Sequence, residues 1–466
     1  MPKLPDKFIE ELKSLNLPYY TVDKLIDALT AGNPSVSVRS NCAKEFLPDD
    51  AVRKVQWCER GRYLDSRPIF TLMPQLHQGR FYVQDASSMF ITEAIRHIVN
   101  LTGNVALTVM DACAAPGGKT TAIIDTLPHG SLVVANEYDR RRAAILKENL
   151  IKWGNSNVLI STGDTNQYAR VRDTFDIIAV DAPCSGEGMM RKEEMAVEQW
   201  SPGLVDECSR LQREIVSNLW NAIKPGGFLI YSTCTFNSRE NEENVKWIID
   251  NFDCSSVDLE VSHFDGIIKT DGGGNIACYR FFPGLVEGEG LFMSVIRKAG
   301  ELKPGIDLPD SKRDKKSSDK TKLPVDLISK WVKPEFNLIF SLSDDSASIE
   351  AISHDGESLL KKLKKTGVKS ITRLLTVASI KGKDIIPDHF LAMSEVLAPD
   401  AFPRQEVNRN QALDYLRREA ITVDSSQPRG YILLTYDNYP LGFVKNIGNR
   451  TNNLYPHNWR IFMIVR

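Results

Sequence analysis

Between residues 101 and 298, short apolar runs rich in β-branched residues alternate with longer segments whose apolar positions recur at helical spacing. The short runs predict five strands, with the sequences VALTVMDA, SLVVANEYD, NVLIST, FDIIAVDAP and GGFLIYSTCT. The longer segments predict four helices, with the sequences TTAIIDTL, RRAAILKENL, DECSRLQREIVSNLWNAI and ENEENVKWIIDNF. Such alternation is typical of an α/β fold with a doubly wound parallel sheet, where ligands bind beyond the carboxyl ends of the strands. We therefore expect the functional residues to follow the strands directly.

The pattern on either side of this region predicts further parts of the chain. Residues 1–100 contain helical segments and a locally basic stretch, and form an N-terminal extension. Residues 299–324 are rich in lysine, aspartate, serine and proline, which predicts a flexible, solvated linker. A small intermediate segment follows at 325–375. The β-rich runs GYILLTYD, LGFVKNI and WRIFMIVR then predict a small separate module over 376–466.

Composition narrows the class of protein. A length of 466 residues exceeds what one hydrophobic core usually supports, which agrees with several domains. The 58 basic and 60 acidic side chains nearly balance, so any affinity for nucleic acid has to come from local patches. None of the eight cysteines forms a Cys-x-x-Cys pair, and we expect no metal site.

The chain also lacks the marks of membrane or secreted proteins. Its start has charges throughout and no apolar signal region. No stretch approaches the roughly 18 apolar residues that span a bilayer. We therefore expect a cytoplasmic protein with reduced thiols and no membrane partner.

The loop after the first predicted strand has the sequence DACAAPGGKT, from Asp111 to Thr120. Its glycine pair lets the backbone approach a ligand closely, and the N-terminus of the following helix favours negative charge. A phosphate loop of the type GxxxxGK[ST] would need glycine where Cys113 stands, and a GxGxxG motif is absent. The loop therefore predicts a ligand other than a nucleoside triphosphate.

Acidic residues follow the second and third predicted strands. Glu137 ends the second strand, where doubly wound folds place an acid that accepts hydrogen bonds from ribose hydroxyls. Asp164 follows the third strand and is placed to meet an adenine amino group. Each acid alone is more often a turn residue or a helix cap. Together, at successive strand ends, they favour a nucleoside-bearing cofactor.

Cysteines follow the fourth and fifth predicted strands, in the sequences DAPCSGEG and YSTCTF. Because these strand ends are neighbours in a doubly wound sheet, Cys184 and Cys234 are expected to face one crevice. A free cysteine is usually an inert, buried residue, and this interpretation fits Cys208 and Cys254 in helical or irregular segments. Polar turn sequence around Cys184 and Cys234 favours a chemical role for both.

Three of these motifs together resemble a known family. DACAAPGGKT, DAPCSGEG and STCTFNSRENEENV are similar to motifs of the NOL/NOP/Sun family of RNA (cytosine-5) methyltransferases, with a core from about Arg39 through the VQDASS segment at 83–88 to the strand at 288–298. The tail sequence LGFVKNIGNRTNNLYPHNWRI is similar to the PUA-like module of the bacterial RsmF branch, which modifies small-subunit ribosomal RNA. One departure is that the family's Pro-His before the Gly-Glu-Gly sequence reads Pro283-Gly284 here.

The resemblance implies an S-adenosylmethionine-dependent enzyme with a Rossmann-like methyltransferase domain at 101–298, an RNA-binding extension at 1–100 and a PUA-like RNA-binding domain at 376–466. Cys234 is then the nucleophile that adds to C6 of cytosine, Cys184 assists release of the product, and Asp181 hydrogen-bonds the base. No metal is implied. The implied cofactor-binding residues are Cys113, Ala114, Ala115, Pro116, Gly117, Gly118, Lys119, Glu137, Asp164 and Asp181.

A competing assignment makes Cys184 the nucleophile, as the Pro-Cys motif is in DNA cytosine-5 methyltransferases. The sequence even contains Glu243-Asn244-Val245, which resembles their Glu-Asn-Val motif. These residues lie within ENEENVKWIID, which predicts the helix after the fifth strand, with Asn237 or Ser238 as its cap. A Thr-Cys-Thr directly before that helix belongs to the RNA enzymes, so we favour Cys234.

The expected activity is formation of 5-methylcytosine in RNA, with 16S ribosomal RNA as the favoured substrate and a monomer as the favoured state. The target base has to be unpaired or flipped to reach both thiols. A transfer-RNA methyltransferase and a non-catalytic ribosome-assembly factor remain alternatives. Arg191 and Lys192 either hold a phosphate or only aid solubility. Further candidates for RNA contact are Arg39, Arg53, Lys54, Arg60, Arg62, Arg67, Arg80, Arg450, Asn452 and Asn453.

Overall fold

The computed structural model describes residues 4–15, 17–31, 34–306 and 323–463. The N-terminal part combines short helices with a four-stranded sheet of order β2-β3-β1-β4, in which every strand pair is antiparallel. Its elements are α1 (Asp6–Ser14), α2 (Tyr19–Ala31), β1 (Val36–Ser40), β2 (Ala51–Val55), β3 (Cys58–Leu64), α3 (Pro74–His77), β4 (Phe81–Val83) and α4 (Ile91–Leu101).

The middle of the chain forms most of a ten-stranded sheet. Its parallel strands are β5 (Thr108–Asp111), β6 (Leu132–Glu137), β7 (Val158–Thr162), β8 (Phe175–Asp181) and β9 (Ile223–Thr233). The helices around them are α5 (Gly118–Thr126), α6 (Arg140–Trp153), α7 (Glu194–Gln199), α8 (Pro202–Trp220) and α9 (Glu242–Asn251). The antiparallel strands are β10 (Cys254–Val257), β11 (Ile267–Asp271), β12 (Ala277–Phe281) and β13 (Leu291–Lys298).

The strand order of this sheet confirms the doubly wound prediction. The parallel strands lie in the order β9-β8-β5-β6-β7, so the direction of winding reverses between β5 and β8. In such sheets ligands bind beyond the strand ends at this switch point. Asp111 ends β5 and Asp181 ends β8, so the loops that carry the predicted functional residues meet at this place.

Both faces of the sheet are covered, which explains the nearly continuous apolar sequence of its parallel strands. Successive residues point to opposite faces. Ile177 packs into a core with Ile95 of α4, whereas Ile178 packs into a second core with Leu219 of α8. All of these side chains are fully buried or nearly so.

The C-terminal part continues the fold after residue 323. Two further sheets have the orders β14-β15-β17-β18 and β19-β20-β21-β22. The elements are α10 (Val325–Ile328), β14 (Ile339–Leu342), β15 (Ser348–Ile352), α11 (His354–Thr366), β16 (Ile371–Arg373), β17 (Thr376–Lys381), β18 (Asp384–Pro387), α12 (His389–Met393), β19 (Arg404–Glu406), α13 (Arg409–Leu416), β20 (Gly430–Tyr436), β21 (Tyr439–Asn446) and β22 (Thr451–Asn453).

The segment after the predicted linker is part of the central sheet and its core. The sequence pattern did not show this arrangement. Strand β16 pairs antiparallel with β7 and so forms one edge of the central sheet. Leu360 and Leu363 of α11 are buried in the same core as the parallel strands. Strand β17 pairs with β15, so one sheet contains residues on both sides of the boundary predicted at 375/376.

The expected linker at 299–324 lies largely outside the described residues, because 307–322 are not described. Among its first residues, Gly305 is held in place, since Lys224 donates to its carbonyl oxygen and Asp176 accepts from its amide, whereas Glu301 and Lys303 are exposed. Of the three β-rich tail runs, the first two form β20 and β21. In the third run, residues 460–463 form no strand, and 464–466 lie outside the described residues.

The C-terminal sheets also contact the N-terminal part directly. The Gln78 side chain donates to the carbonyl oxygens of Tyr436 and Tyr439, each at 2.8 Å. Arg80, which is buried, forms an ion pair with Asp437. Within the described ranges, no helix combines the length and apolar character needed to cross a membrane.

Candidate active site

A cavity of about 670 Å³ opens at the switch point of the central sheet. Its walls come from the ends of β5, β6, β7 and β8 and from one face of α8. It brings together Cys113, Glu137, Asp164, Asp181, Cys184 and Cys234, all predicted from the sequence. Side chains that the sequence did not single out complete the walls: Tyr138, Arg142, Met189, Leu211, Ile215 and Asn218. Leu211, Ile215 and Asn218 recur at helical spacing, which places them on one face of α8. This spacing is the sequence signal from which that face could have been predicted.

The loop from Cys113 to Lys119 turns tightly into helix α5. Gly117 has a φ of +111°, a backbone conformation that favours glycine, and it directly precedes the helix. The Ala114 amide donates to the carbonyl oxygen of Asn136 at 2.8 Å, which ties the loop to β6. Burial raises the pKa of the Cys113 thiol, so this cysteine stays protonated and neutral in the cavity wall.

The two acids predicted at strand ends differ in exposure. Glu137 is buried, and its carboxylate accepts hydrogen bonds from the Ala115 amide at 3.2 Å and the Asp139 amide at 3.0 Å. Asp164 is exposed at the cavity, and its carboxylate accepts from the Asn166 amide at 2.8 Å. Both carboxylates retain free lone pairs, so with Leu211 and Ile215 of α8 in its wall the cavity fits a nucleoside with ribose hydroxyls and an amino group.

Lys119 does not line this cavity but points towards Asp181. Its ammonium group donates to Asp181 Oδ2 at 2.9 Å, and Ser232 donates to Asp181 Oδ1 at 2.9 Å. Burial by itself would lower the pKa of Lys119, but attraction to Asp181, and further to Cys234, outweighs it and raises the pKa. Lys119 therefore stays charged and interacts electrostatically with Cys234.

A second cavity of about 180 Å³ lies on the other side of the loop. Ala114, Ala115, Pro116, Gly118 and Lys119 line this smaller cavity and not the larger one, whereas Gly117 lines neither. Only Cys113 and Asp181 border both. The predicted cofactor-binding residues are thus divided between the two cavities. Gln84, Asp85 and Ser88 of the VQDASS segment form the opposite wall of the smaller cavity.

The thiols of Cys184 and Cys234 are in contact, with 3.0 Å between the two sulfur atoms. Both cysteines are free and half-buried. The hydrogen bond between the thiols, together with burial and the carboxylate of Glu240, raises the pKa of Cys184 well above its ordinary value. Cys184 therefore keeps its proton, and its sulfur stays in hydrogen-bond contact with the sulfur of Cys234.

Several basic residues suggested for RNA contact are instead structural. Arg39 is only 1% exposed, and its guanidinium pairs with Asp125 and donates to Thr121 at the start of α5. Arg191 pairs with Glu289 at 2.7 Å, and both side chains are 8% exposed. Neither Arg39 nor Arg191 is available to a phosphate. Lys192, 37% exposed, pairs with the same carboxylate at 3.0 Å.

The remaining sequence motifs also have structural explanations. Asn244 lies within α9 and donates to Gln212 Oε1 at 2.7 Å, so the Glu-Asn-Val sequence belongs to helix packing. The cap of that helix is Asn241 and not Asn237 or Ser238. Gly284 has a φ of +88°, and a Cβ atom there would stand 2.7 Å from the Lys24 carbonyl oxygen. A histidine at this position would not fit beside α2.

Comparisons with known proteins agree with this geometry. Residues 99–297 match the family model 16S rRNA methyltransferase RsmB/F, residues 402–461 match the Methyltransferase RsmF PUA domain, and residues 4–86 match the N-terminal domain of 16S rRNA methyltransferase RsmF. A solved structure, NSun6 from Pyrococcus horikoshii with SFG, shares the fold at a TM-score of 0.52, with 19% identity over 64% of this chain and 99% of that chain.

Curated relatives extend the match over most of the chain. Ribosomal RNA small subunit methyltransferase F from Shigella boydii serotype 18 is 30% identical and covers 86% of this chain and 83% of its own length. The protein of the same name from Escherichia coli O81 is 29% identical over 97% of this chain and 95% of its own length. The chain therefore belongs to the ribosomal RNA small subunit methyltransferase F family and is an S-adenosylmethionine-dependent RNA methyltransferase.

Proposed function

We propose that this enzyme forms 5-methylcytosine in 16S ribosomal RNA through a covalent bond between Cys234 and C6 of the target cytosine. The observation that carries the proposal is the contact between the Cys184 and Cys234 thiols at one end of the larger cavity, with the Lys119–Asp181 ion pair beside them. A methyltransferase that acts on a nitrogen or an oxygen has no need of two such thiols, because those atoms are already nucleophilic.

Glu137 and Asp164 are the residues that hold S-adenosylmethionine in this proposal. Glu137 accepts hydrogen bonds from the ribose hydroxyls, and Asp164 accepts from the adenine amino group. Arg142 donates to the Ala115 carbonyl oxygen at 2.8 Å and thereby fixes the loop from Cys113 to Lys119. When bound, the cofactor supplies an electrophilic methyl group to the end of the cavity that contains the thiols.

Cys234 activates the base. C5 of cytosine is a poor nucleophile, and addition of a thiolate to C6 gives an enamine with higher electron density at C5. A free thiol with a pKa of ~8.5 is only a few per cent ionised near neutral pH, so the site has to favour the thiolate. Lys119 and the Cys184 S–H group both stabilise negative charge on Cys234. Asp181 accepts a hydrogen bond from the cytosine amino group or protonated N3.

Cys184 acts after the methyl group has been transferred. The C5 proton then has to leave, and the electron pair of the C5–H bond forms the C5–C6 double bond while the C6–S bond breaks. A water that Cys184 positions accepts this proton, and Cys234 leaves as the thiolate. The two thiols thus serve two successive steps.

A transfer-RNA substrate is the second candidate, because the catalytic core alone does not select the RNA. Similarity to the RsmF N-terminal and PUA models favours small-subunit ribosomal RNA. A monomeric state, independence from metal and a cytoplasmic location remain predictions.

Replacing Asp164 by alanine is expected to weaken binding of S-adenosylmethionine about tenfold, because one hydrogen bond between a carboxylate and the adenine amino group is lost. Calorimetry on the full-length protein measures the effect. Asp400→Ala, at another exposed acid, is the control and should leave affinity unchanged. Equal affinities of both variants would remove Asp164 from the cofactor site.

The proposed activity is tested on small ribosomal subunits from cells that lack the protein. Incubation with the enzyme and S-adenosylmethionine carrying a labelled methyl group is expected to label 16S RNA, and bisulfite sequencing should locate a protected cytosine. The same measurement on total transfer RNA tests the second candidate. Labelling of neither RNA, despite cofactor binding, would favour the non-catalytic assembly factor.

A further inference from the structure

The catalytic cysteines lie on two loops. A glutamate on each loop accepts hydrogen bonds from backbone amides of the other loop. The first loop spans 183–190 after β8, and the second spans 234–241 after β9. Glu187 of the first loop accepts hydrogen bonds from the backbone amides of Phe236 at 2.6 Å and Asn237 at 3.0 Å. One carboxylate oxygen of the Cys184 loop thus fixes the backbone two and three residues after Cys234.

The second loop also contributes a carboxylate that accepts a hydrogen bond from the first loop. Glu240 Oε2 accepts from the amide of Ser185 at 3.0 Å, and Ser185 directly follows Cys184. The same oxygen accepts from Gln212 Nε2 at 2.7 Å, and this amide group also donates to the Pro183 carbonyl oxygen at 3.0 Å. Pro183 directly precedes Cys184, so hydrogen bonds hold the backbone on both sides of Cys184.

Further bonds join the two crossing carboxylates to each other. The Asn237 side-chain amide lies 3.0 Å from Glu187 Oε1 and 2.8 Å from Glu240 Oε1. The Gly188 amide donates to the carbonyl oxygen of Cys234 itself at 2.8 Å. A Cβ atom at Gly188 would stand 2.4 Å from that oxygen, so only glycine permits this approach. We call Glu187, Glu240 and Asn237 the loop clamp.

Burial of its carboxylates makes the loop clamp costly in folding free energy. This cost indicates a specific use. Glu187 is 1% exposed and Glu240 is 0% exposed, and burial raises the pKa of Glu240. Two buried carboxylates in one network destabilise a fold unless every lone pair is used, and apolar packing would often be more stable. Bonds within one loop would have sufficed for local stability. Here they run between the two loops that carry the thiols.

We propose that Glu187 and Glu240 are positioning residues that hold the Cys184 and Cys234 thiols in contact, so that both address one base. The catalytic consequence rests on the function proposed above, whereas the positioning of the thiols does not. Neither carboxylate lines the larger cavity, so neither touches cofactor or base. Their effect passes through the backbone of the two loops.

Glutamine is a sharp probe of this clamp, since it keeps the size of glutamate but replaces one acceptor oxygen by a donor. Both oxygens of Glu187 accept hydrogen bonds, including one from Trp200 Nε1 at 3.0 Å, so Glu187→Gln places a donor against a donor. The matched control is Glu357→Gln, at a carboxylate that is 9% exposed and pairs with Arg373 outside the active site.

Phenylarsine oxide detects two neighbouring thiols, and the measurement needs no RNA. Its hydrated form exchanges two As–OH groups for two As–S bonds with neighbouring thiols and releases two water molecules, with no change in oxidation state. The wild-type protein is expected to bind one equivalent, and peptide mass mapping should place it on Cys184 and Cys234. Cys184→Ser should not form this bridge, because it lacks the second thiol.

Glu187→Gln and Glu240→Gln are each expected to weaken arsenical binding about tenfold, because the effective concentration of one thiol at the other falls. The same variants should lower kcat for RNA methylation about 100-fold, the effect of a misplacement near 1 Å, with unchanged cofactor Kd. Glu357→Gln should change neither. If a glutamine variant fails to bind cofactor, Asn237→Ala tests the bridge between the carboxylates and should also weaken arsenical binding.

Arsenical affinity equal to that of Glu357→Gln, in every clamp variant that binds cofactor, would overturn the positioning role. The arsenical result is independent of the activity. If the wild type captures the arsenical and the clamp variants do not, while no RNA cytosine is methylated, the clamp stands and the proposed function fails.

Discussion

Cys234→Ala is expected to abolish methyl transfer to RNA and the covalent protein–RNA complex together. No enamine forms without addition at C6, and loss of a covalent nucleophile costs on the order of 10⁶-fold in kcat in other enzymes. Transfer of a labelled methyl group under single-turnover conditions measures the loss. Cys254→Ala, at a free cysteine outside the cavity, is the matched control and should retain activity. Cofactor binding should survive in both variants.

Cys184→Ala is expected to give the opposite pattern. Addition by Cys234 and methyl transfer continue, but elimination slows because no thiol stands ready to assist removal of the C5 proton. A protein–RNA adduct should therefore accumulate and survive denaturing electrophoresis, while released product falls about 100-fold, as expected when the water that acts as general base is no longer positioned. The wild-type enzyme should form the same adduct on RNA that contains 5-fluorocytosine, because fluorine does not leave as a proton does.

The two cysteine variants together decide between the assignments of the nucleophile. An adduct with Cys234→Ala and none with Cys184→Ala would mean that Cys184 attacks C6, as in the DNA enzymes. We favour Cys234 because its Thr-Cys-Thr sequence resembles that of the RNA enzymes, and because the hydrogen bond to Cys234, burial and Glu240 raise the pKa of Cys184. Loss of the adduct in both variants would instead show that each thiol is needed for addition.

Sequence patterns identified the central sheet because its strands are buried on both faces. Continuous apolar runs such as FDIIAVDAP are required where helices cover both sides of a parallel sheet, and they leave little doubt about element type. The polar residues that end these runs, among them Glu137, Asp181 and Cys184, then have to lie at one edge. The order of strands was implied by the doubly wound class, which the comparisons and the topology confirm.

The same reasoning failed where the structure depends on distant contacts. Lysine and arginine carry equal charge in a sequence whether they are exposed or buried, so the sequence offers Arg39 and Arg80 as candidates for RNA contact although Asp125 and Asp437 neutralise them. Three-residue strands such as β16 are too short to show a period of two. Its place beside β7 therefore did not emerge from the pattern.

The sequence by itself determined the fold class and placed the candidate site residues at the strand ends, because local patterns of burial and polar strand ends encode them. Only the tertiary structure decided which partner each of these residues meets. Lys119 pairs with Asp181, strand β16 of the C-terminal segment joins the central sheet, and Glu187 and Glu240 each accept hydrogen bonds from the other loop. Such contacts join residues about 50 or more positions apart, and local periodicity contains no information on pairs at that distance.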